Sequence, residues 1–116
     1  MANTFKVKTN AAMPASAGTP LTIYTCPSST QTIIVGLLLC NVHTASVTAS
    51  VNMQSDTSDT ETNENVKLIS TVTIPANSTL EVLTGGKIVM QATDVLQIDC
   101  SVAAKLDATL SILEIT

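Results

Sequence analysis

The chain's only histidine and its three cysteines are the first side chains to consider for catalysis or metal binding. A nucleophilic triad or a cysteine–histidine pair would have to use His43, which ends an apolar segment in Asn-Val-His-Thr. No G-x-S-x-G nucleophile motif accompanies it, and one histidine cannot supply the several histidine ligands of a typical catalytic zinc site. We therefore interpret His43 as a histidine at the end of a strand and predict no catalytic residue.

The cysteines Cys26, Cys40 and Cys100 are odd in number and widely spaced, and no C-x-x-C pair is present. This pattern supports neither a zinc knuckle nor a redox motif. Cys40 lies in one apolar segment and Cys100 at the end of another, so we expect small, buried apolar side chains. One disulfide with a third free thiol is the alternative.

Acidic residues cluster in a polar segment, where Asp56, Asp59, Glu61 and Glu64 offer oxygen atoms that suit a hard cation such as Ca²⁺. The spacing differs from that of an EF-hand loop, and no glycine supplies the sharp turn of such a loop. We interpret the segment as an exposed loop and predict no metal site. Calcium binding is the alternative, and a calcium-dependent rise in melting temperature would reveal it.

The remaining charged and glycine residues do not form a recognisable site for sugars, phosphates or nucleic acids. Asp94 and Asp99 are a weak carboxylate pair, because a chain with 2% aromatic residues has little with which to stack on sugars. Gly85-Gly86 is too short for a phosphate loop and precedes a strand. All five basic residues are lysines in a chain of net charge −4, so we expect no nucleic-acid binding. We predict that the chain is not an enzyme and has no cofactor.

Length and composition favour one compact domain over residues 1–116. Hydrophobic residues make up 45% of the chain and charged residues 12%, a balance that excludes disorder of the whole chain. The longest apolar run, residues 33–40, is far shorter than the roughly 20 residues of a membrane-spanning helix. The first residues, Met-Ala-Asn-Thr-Phe-Lys, lack the apolar region of a signal peptide. We therefore expect no membrane partner and synthesis in the cytoplasm.

Alternating apolar and polar residues predict strands along most of the chain, with short turns between them. The predicted strands cover residues 3–9, 21–26, 31–43, 46–54, 66–74, 80–82, 88–90, 96–100 and 106–115. About nine strands at this spacing, with no helical periodicity, are typical of sandwiches and barrels. We predict an all-β fold, an antiparallel β-sandwich of jelly-roll type.

Three of these segments carry more specific predictions. Residues 31–43 are apolar on both faces, which indicates a strand that is covered on both sides, such as a central sandwich strand whose outer face meets another chain. Residues 10–20 contain two prolines and a glycine and are predicted to form a loop. In residues 66–74, alternate residues from Val66 to Ile74 are predicted to share one face, Ser70 among them.

Two pairs of apolar residues have no evident place in the core of a small sandwich. Phe5 and Val7 share one face of the first predicted strand, and Leu113 and Ile115 lie opposite the core face of the last. Oligomerisation or docking on a larger surface would bury these side chains. We therefore predict Phe5, Val7, Leu113 and Ile115 as contact residues for another subunit or for a capsid.

Several segments resemble the small virion structural proteins of tailed bacteriophages. The segments are residues 21–27, 33–37, 74–83, 85–98 and 106–115. In those phage proteins a strand that ends in Ile-Pro-Ala is followed by a hairpin and then by an Asp-x-Leu entry into the next strand. The same order occurs here from Ile74 to Leu96.

The resemblance implies a β-sandwich subunit that multimerises on a virion and brings no catalytic residues with it. A capsid decoration or cement protein, forming a homotrimer and binding the major capsid protein, is the first expectation. A tail, neck, collar or baseplate subunit is the alternative, and a receptor- or glycan-binding module is a third possibility. Each of these expectations places the protein in the virion.

Overall fold

The computed structural model describes residues 2–55, 63–83 and 86–116, and it shows nine strands and no helix within them. The strands are β1 Asn3–Met13, β2 Leu21–Thr25, β3 Gln31–Asn41, β4 Val47–Gln54, β5 Val66–Ile74, β6 Thr79–Glu81, β7 Ile88–Met90, β8 Val95–Cys100 and β9 Leu106–Ile115. Among the described residues no helix is long and apolar enough to cross a membrane. The predicted all-β fold is confirmed.

The strands form two antiparallel sheets. The five-stranded sheet has the order β1-β9-β3-β6, and β7 pairs with β3 beside β6. The four-stranded sheet has the order β2-β8-β4-β5. Because β6 pairs with Leu38–Cys40 and β7 with Thr32–Ile34, the two short strands together fill one edge position. Successive strands therefore switch between the sheets, except from β4 to β5 and from β6 to β7, as in a jelly roll. The predicted sandwich is confirmed.

The core lies between the sheets and is almost entirely aliphatic, as the shortage of aromatic residues requires. Alternation in β4 buries Val47, Ala49, Val51 and Met53, and alternation in β9 buries alternate residues from Leu106 to Ile112. Fully burying one such large side chain stabilises the fold by roughly 1.5–3 kcal/mol relative to leaving it exposed. The period of two thus determines which face of each strand points inward.

Strand β3 has large apolar side chains on both faces because a bulge shifts the alternation of its inward and outward side chains by one residue. The register with β9 shifts between Ile34 and Gly36, so that Ile34 and Leu37 are both fully buried. Val35 and Leu38 remain 42% and 43% exposed. The inner face of β3 is therefore covered as predicted, whereas its outer face is partly open in the single chain, which is the arrangement expected if that face meets another chain.

Two other local predictions need correction. Strand β1 continues to Met13, because Asn10 and Met13 still pair with β9, and the predicted loop begins only after it. In β5 the register with β4 shifts near Thr71, whose φ is 52°. Ser70 is consequently exposed, and Ile69 takes its place opposite the buried Val51. Val66 does lie opposite the buried Met53, on the same face as Ile74, but it is 52% exposed at the start of this edge strand.

Candidate functional site

Among the residues that the structure describes, the side chains suited to metal binding do not converge. Within the described ranges, no group of three or more His, Cys, Asp or Glu residues is placed to hold a metal ion. Asp56, Asp59 and Glu61 of the acidic segment lie outside the described residues, and Glu64 is exposed.

All three cysteines are free thiols, so the alternative of a disulfide is wrong for the folded chain. Cys26 and Cys100 are buried, as predicted, whereas Cys40 is half-buried. The Cys26 thiol donates to the carbonyl oxygen of Thr30 at 3.4 Å. Burial raises the pKa of this thiol, which disfavours the thiolate that a cysteine nucleophile requires.

His43 lies in the turn after β3, as predicted, and the turn is organised by Asn41. The fully buried Asn41 amide donates to the carbonyl oxygens of Ala45, Ile74 and Pro75 at 3.0–3.1 Å. Its Oδ1 accepts the backbone N–H of His43 at 2.8 Å. Asn41 therefore fastens the β3–β4 connection to the end of β5, a structural role that its polar side chain did not suggest from sequence.

Asp94 is occupied in a turn rather than open to a ligand. Its buried carboxylate accepts the backbone N–H of Gln91 at 3.0 Å and the Ser55 hydroxyl at 3.1 Å. It borders an open groove of about 530 Å³ that is lined mainly by apolar side chains such as Val66 and Val89. Asp99 accepts the backbone N–H of Cys100 at 2.8 Å. These bonds give both carboxylates local partners within their turn and strand.

A polar cluster that the sequence did not reveal joins the two sheets. Tyr24 of β2 donates from its hydroxyl to Glu114 of β9 at 2.5 Å, and its hydroxyl also lies 2.8 Å from Thr32 of β3. Lys6 of β1 forms an ion pair with Glu114 at 2.8 Å. The one sign of this cluster in the sequence is that Glu114 continues the alternation of inward-facing residues in β9, two residues after the buried Ile112.

The electrostatics of this cluster favour a neutral tyrosine and a charged glutamate. Hydrogen bonds from Lys6 and Tyr24 hold the pKa of Glu114 below its ordinary value. Burial, reinforced by the neighbouring Glu114 carboxylate, raises the pKa of Tyr24. Because Glu114 is only 6% exposed and is held by two donors, the cluster is placed to bind β1 and β2 to β9 rather than to react with a substrate.

The feature that stands out is the outer face of the five-stranded sheet, called the apolar face below. Residues directly opposite each other in paired strands share a face. The register therefore places Phe5, Leu113, Ile33 and Val89 in one row across four strands. The next rows hold Val7 with Ser111 and Gly36 on one side, and Asn3 with Ile115 and Gln31 on the other. All four contact residues predicted from sequence thus lie on this one face.

Exposure on the apolar face is high for such large side chains. Phe5 is 77% exposed, Val7 61% and Val89 60%. Leu113 and Ile115 are half-buried by their neighbours. Sequence analysis did not identify Val35, Leu38 or Val89 as part of this face, because the bulge in β3 and the pairing of β7 are not visible in the alternation.

The outer face of the four-stranded sheet is polar by contrast. Its β4 positions are threonine, serine, asparagine and glutamine, at Thr48, Ser50, Asn52 and Gln54. Gln54 donates to Gln97 at 3.2 Å, and Gln97 donates in turn to Thr22 at 3.2 Å. The apolar face is therefore the better suited of the two outer faces to apolar burial against another protein.

A shallow depression of about 380 Å³ interrupts the apolar face beside Phe5. Val7, Val35 and Ser111 are among the residues that line it. Gly36 lies opposite Ser111 in the next strand, and a Cβ atom placed on it would meet nothing within 4 Å. Two small residues, Ser111 in the lining and Gly36 opposite it, thus lie side by side at this point of the face.

No family model matches the chain, and neither the curated proteins nor the solved structures contain a match. The residues of this chain, with the resemblance described above, are the basis for the function proposed next.

Proposed function

We propose that this protein is a structural subunit of a bacteriophage virion and that it decorates the capsid by binding major capsid subunits. The observation that carries the proposal is the apolar face, which exposes Phe5, Val7 and Val89 to solvent in the single chain. Large exposed apolar patches mark interaction surfaces. The resemblance to small phage structural proteins supplies the setting.

The mechanism of a decoration protein is stabilisation by mass action. A subunit that binds the assembled shell, and not its separated parts, favours the shell by the free energy of its contacts. Such a protein needs complementary surfaces and a stable fold, and it needs no reactive group. The described residues fit that requirement, since Asp94, Asp99 and the Cys26 thiol are engaged in local bonds.

The experiment compares particles assembled with and without this protein. We expect particles that lack it to release their DNA at a lower temperature, measured by the fluorescence of a DNA-binding dye during heating. Adding the purified protein back should restore the higher temperature. Equal heat resistance of the two kinds of particle would contradict a cement function.

Copy number distinguishes the capsid from the tail. A decoration protein is expected at a copy number comparable with that of the major capsid protein, measured by quantitative mass spectrometry of purified virions. A copy number comparable with that of the tail or neck proteins would instead support the alternative of a tail, collar or baseplate subunit.

A receptor- or glycan-binding function has less support from the structure. Aromatic side chains commonly provide the apolar body of binding surfaces, and of the two aromatic residues here Tyr24 is only 5% exposed. Phe5 is the single exposed aromatic side chain. Specific binding on a glycan array would contradict this ranking.

A further inference from the structure

We propose that the apolar face is covered by the same face of a second copy of this chain, in a two-fold pairing of five-stranded sheets. This inference rests on the proposed function and deepens it: the apolar face joins two copies into the unit that binds the shell, in place of the homotrimer that the resemblance implies. The polar outer face of the four-stranded sheet and the loops then stay free for the shell.

The size of the face suits a dimer. Strands β1, β9 and β3 are 10 or 11 residues long, and β6 and β7, which share the fourth position, are 3 residues each. At about 3.3 Å per residue and about 4.8 Å between strands, they present roughly 600 Å². Two such faces together bury about 1,200 Å², which is the lower end of the range for stable, specific protein interfaces. A smaller contact, such as one exposed strand edge, would fall well short of that area.

The shape of the face is self-complementary. Phe5 projects from β1 and is 77% exposed, while the depression beside it is lined by Val7, Val35 and Ser111, together with Lys6 and Ile112. In a two-fold contact each patch meets its own copy, so a projection on one copy meets the depression on the other. Phe5 of each copy thereby fills the depression of its partner.

The charges of the face also favour a second copy of an acidic chain. The rows from Asn3 to Val7 across the sheet contain no charged side chain. Glu81 and Asp107 occur only toward the far end of the face, opposite Leu38 and Cys40. Two chains of net charge −4 can therefore meet over the central rows without placing like charges in contact.

Pairing through the edge of β1 is the main competing arrangement, and the lysines of β1 disfavour it. Lys6 and Lys8 alternate with Phe5 and Val7 along this edge strand. Charged residues, lysine in particular, protect edge strands from pairing with another sheet. Lys6 is in addition held by Glu114.

The test is the oligomeric state of the purified full chain, measured by sedimentation velocity and light scattering over a range of concentrations. We expect a dimer that dissociates on dilution. Val7→Asp should lower the affinity at least tenfold, because it places a carboxylate on the central rows of both copies. Thr73→Asp is the matched control on the other sheet, where the exposed Thr73 lies opposite Thr48 on the polar outer face, and it should leave the dimer unchanged.

A second variant separates specific packing from general adhesion of apolar surfaces. Ser111→Leu makes the face more apolar but fills the depression that receives Phe5. We expect it to weaken the dimer, whereas non-specific adhesion would be strengthened. Circular dichroism and thermal melting establish that each variant is folded.

Three results would each overturn the two-fold pairing. They are a wild-type monomer at every concentration, a trimer, and a dimer that Val7→Asp does not weaken. A monomer that is nevertheless incorporated into virions would leave the proposed function intact. A dimer that is absent from virions would overturn the proposed function and leave the pairing intact.

Discussion

Glu114 shows how a single charged residue is retained between the two sheets. Its carboxylate accepts the Tyr24 hydroxyl and pairs with Lys6, so it is buried with both oxygens engaged. Glu114→Gln removes the ion pair and turns an amide toward Lys6. We expect a loss of about 1–2 kcal/mol in the free energy of unfolding, since this is the usual cost of losing a hydrogen bond to a charged group that is partly screened. Urea denaturation at neutral pH measures it, with the exposed Glu64→Gln as the control.

The same residue predicts a direction for the pH dependence of stability. The folded-state pKa of Glu114 is lowered by its bonds to Lys6 and Tyr24. Its contribution is therefore complete above the pKa of an unfolded glutamate and is lost as the pH falls through the folded-state pKa. The difference in melting temperature between wild type and Glu114→Gln should shrink in acid. A difference that is constant from neutral to acid pH would contradict the charged role of Glu114.

Replacing the uncharged Asn41 is expected to lower the free energy of unfolding more than replacing Glu114 does. Its amide satisfies three carbonyl oxygens from two separate connections and accepts one backbone N–H. Asn41→Ala leaves buried groups without partners, each of which costs about 1–3 kcal/mol. We expect a loss of about 3 kcal/mol by urea denaturation, against almost none for the exposed Asn3→Ala. Equal stability of the two variants would show that water replaces the Asn41 amide.

At the scale of the element, strand β3 carries two neighbouring leucines with opposite environments. Leu37 is fully buried, and Leu38 is 43% exposed on the apolar face. Leu37→Ala should cost about 2–5 kcal/mol because it leaves a cavity in the core, while Leu38→Ala should cost much less. The pair tests the bulge directly, since β3 without the register shift after Ile34 would exchange the two environments. Urea denaturation of the two variants is the measurement.

The alternation of apolar residues was sufficient to predict most strands and their inward faces, because the period of two is local to each strand. It predicted the buried residues of β4 and β9 correctly. It did not predict the bulges beside Gly36 and Thr71, because a bulge is defined by the register with a partner strand far away in sequence. The extension of β1 to Met13 was missed for the same reason, since pairing with Leu106 sustains it.

The candidate site was predictable only in part. Phe5, Val7, Leu113 and Ile115 were identified because no core position was left for them in the alternation. Their meeting on one face depends on the pairing of the first strand with the last, which no local pattern encodes. Ser111 and Gly36, the two small residues at the depression, become neighbours only through the register of β3 with β9.

At the scale of the whole molecule, the two outer faces of the sandwich differ in chemistry. The charged residues that give the net charge of −4 lie outside the central rows of the apolar face. If copies of the chain pair through that face, association brings two acidic molecules together without forming ion pairs. Salt then weakens the electrostatic repulsion between the two copies and has no attractive ion pair to weaken. The Debye length falls from about 10 Å at 0.1 M to about 3 Å at 1 M ionic strength. We expect the dissociation constant of the dimer to decrease as sodium chloride is raised over this range, measured by sedimentation at constant pH. An interface held by ion pairs would weaken instead, and such a result would move the contact from the apolar face to the charged edges of the sandwich.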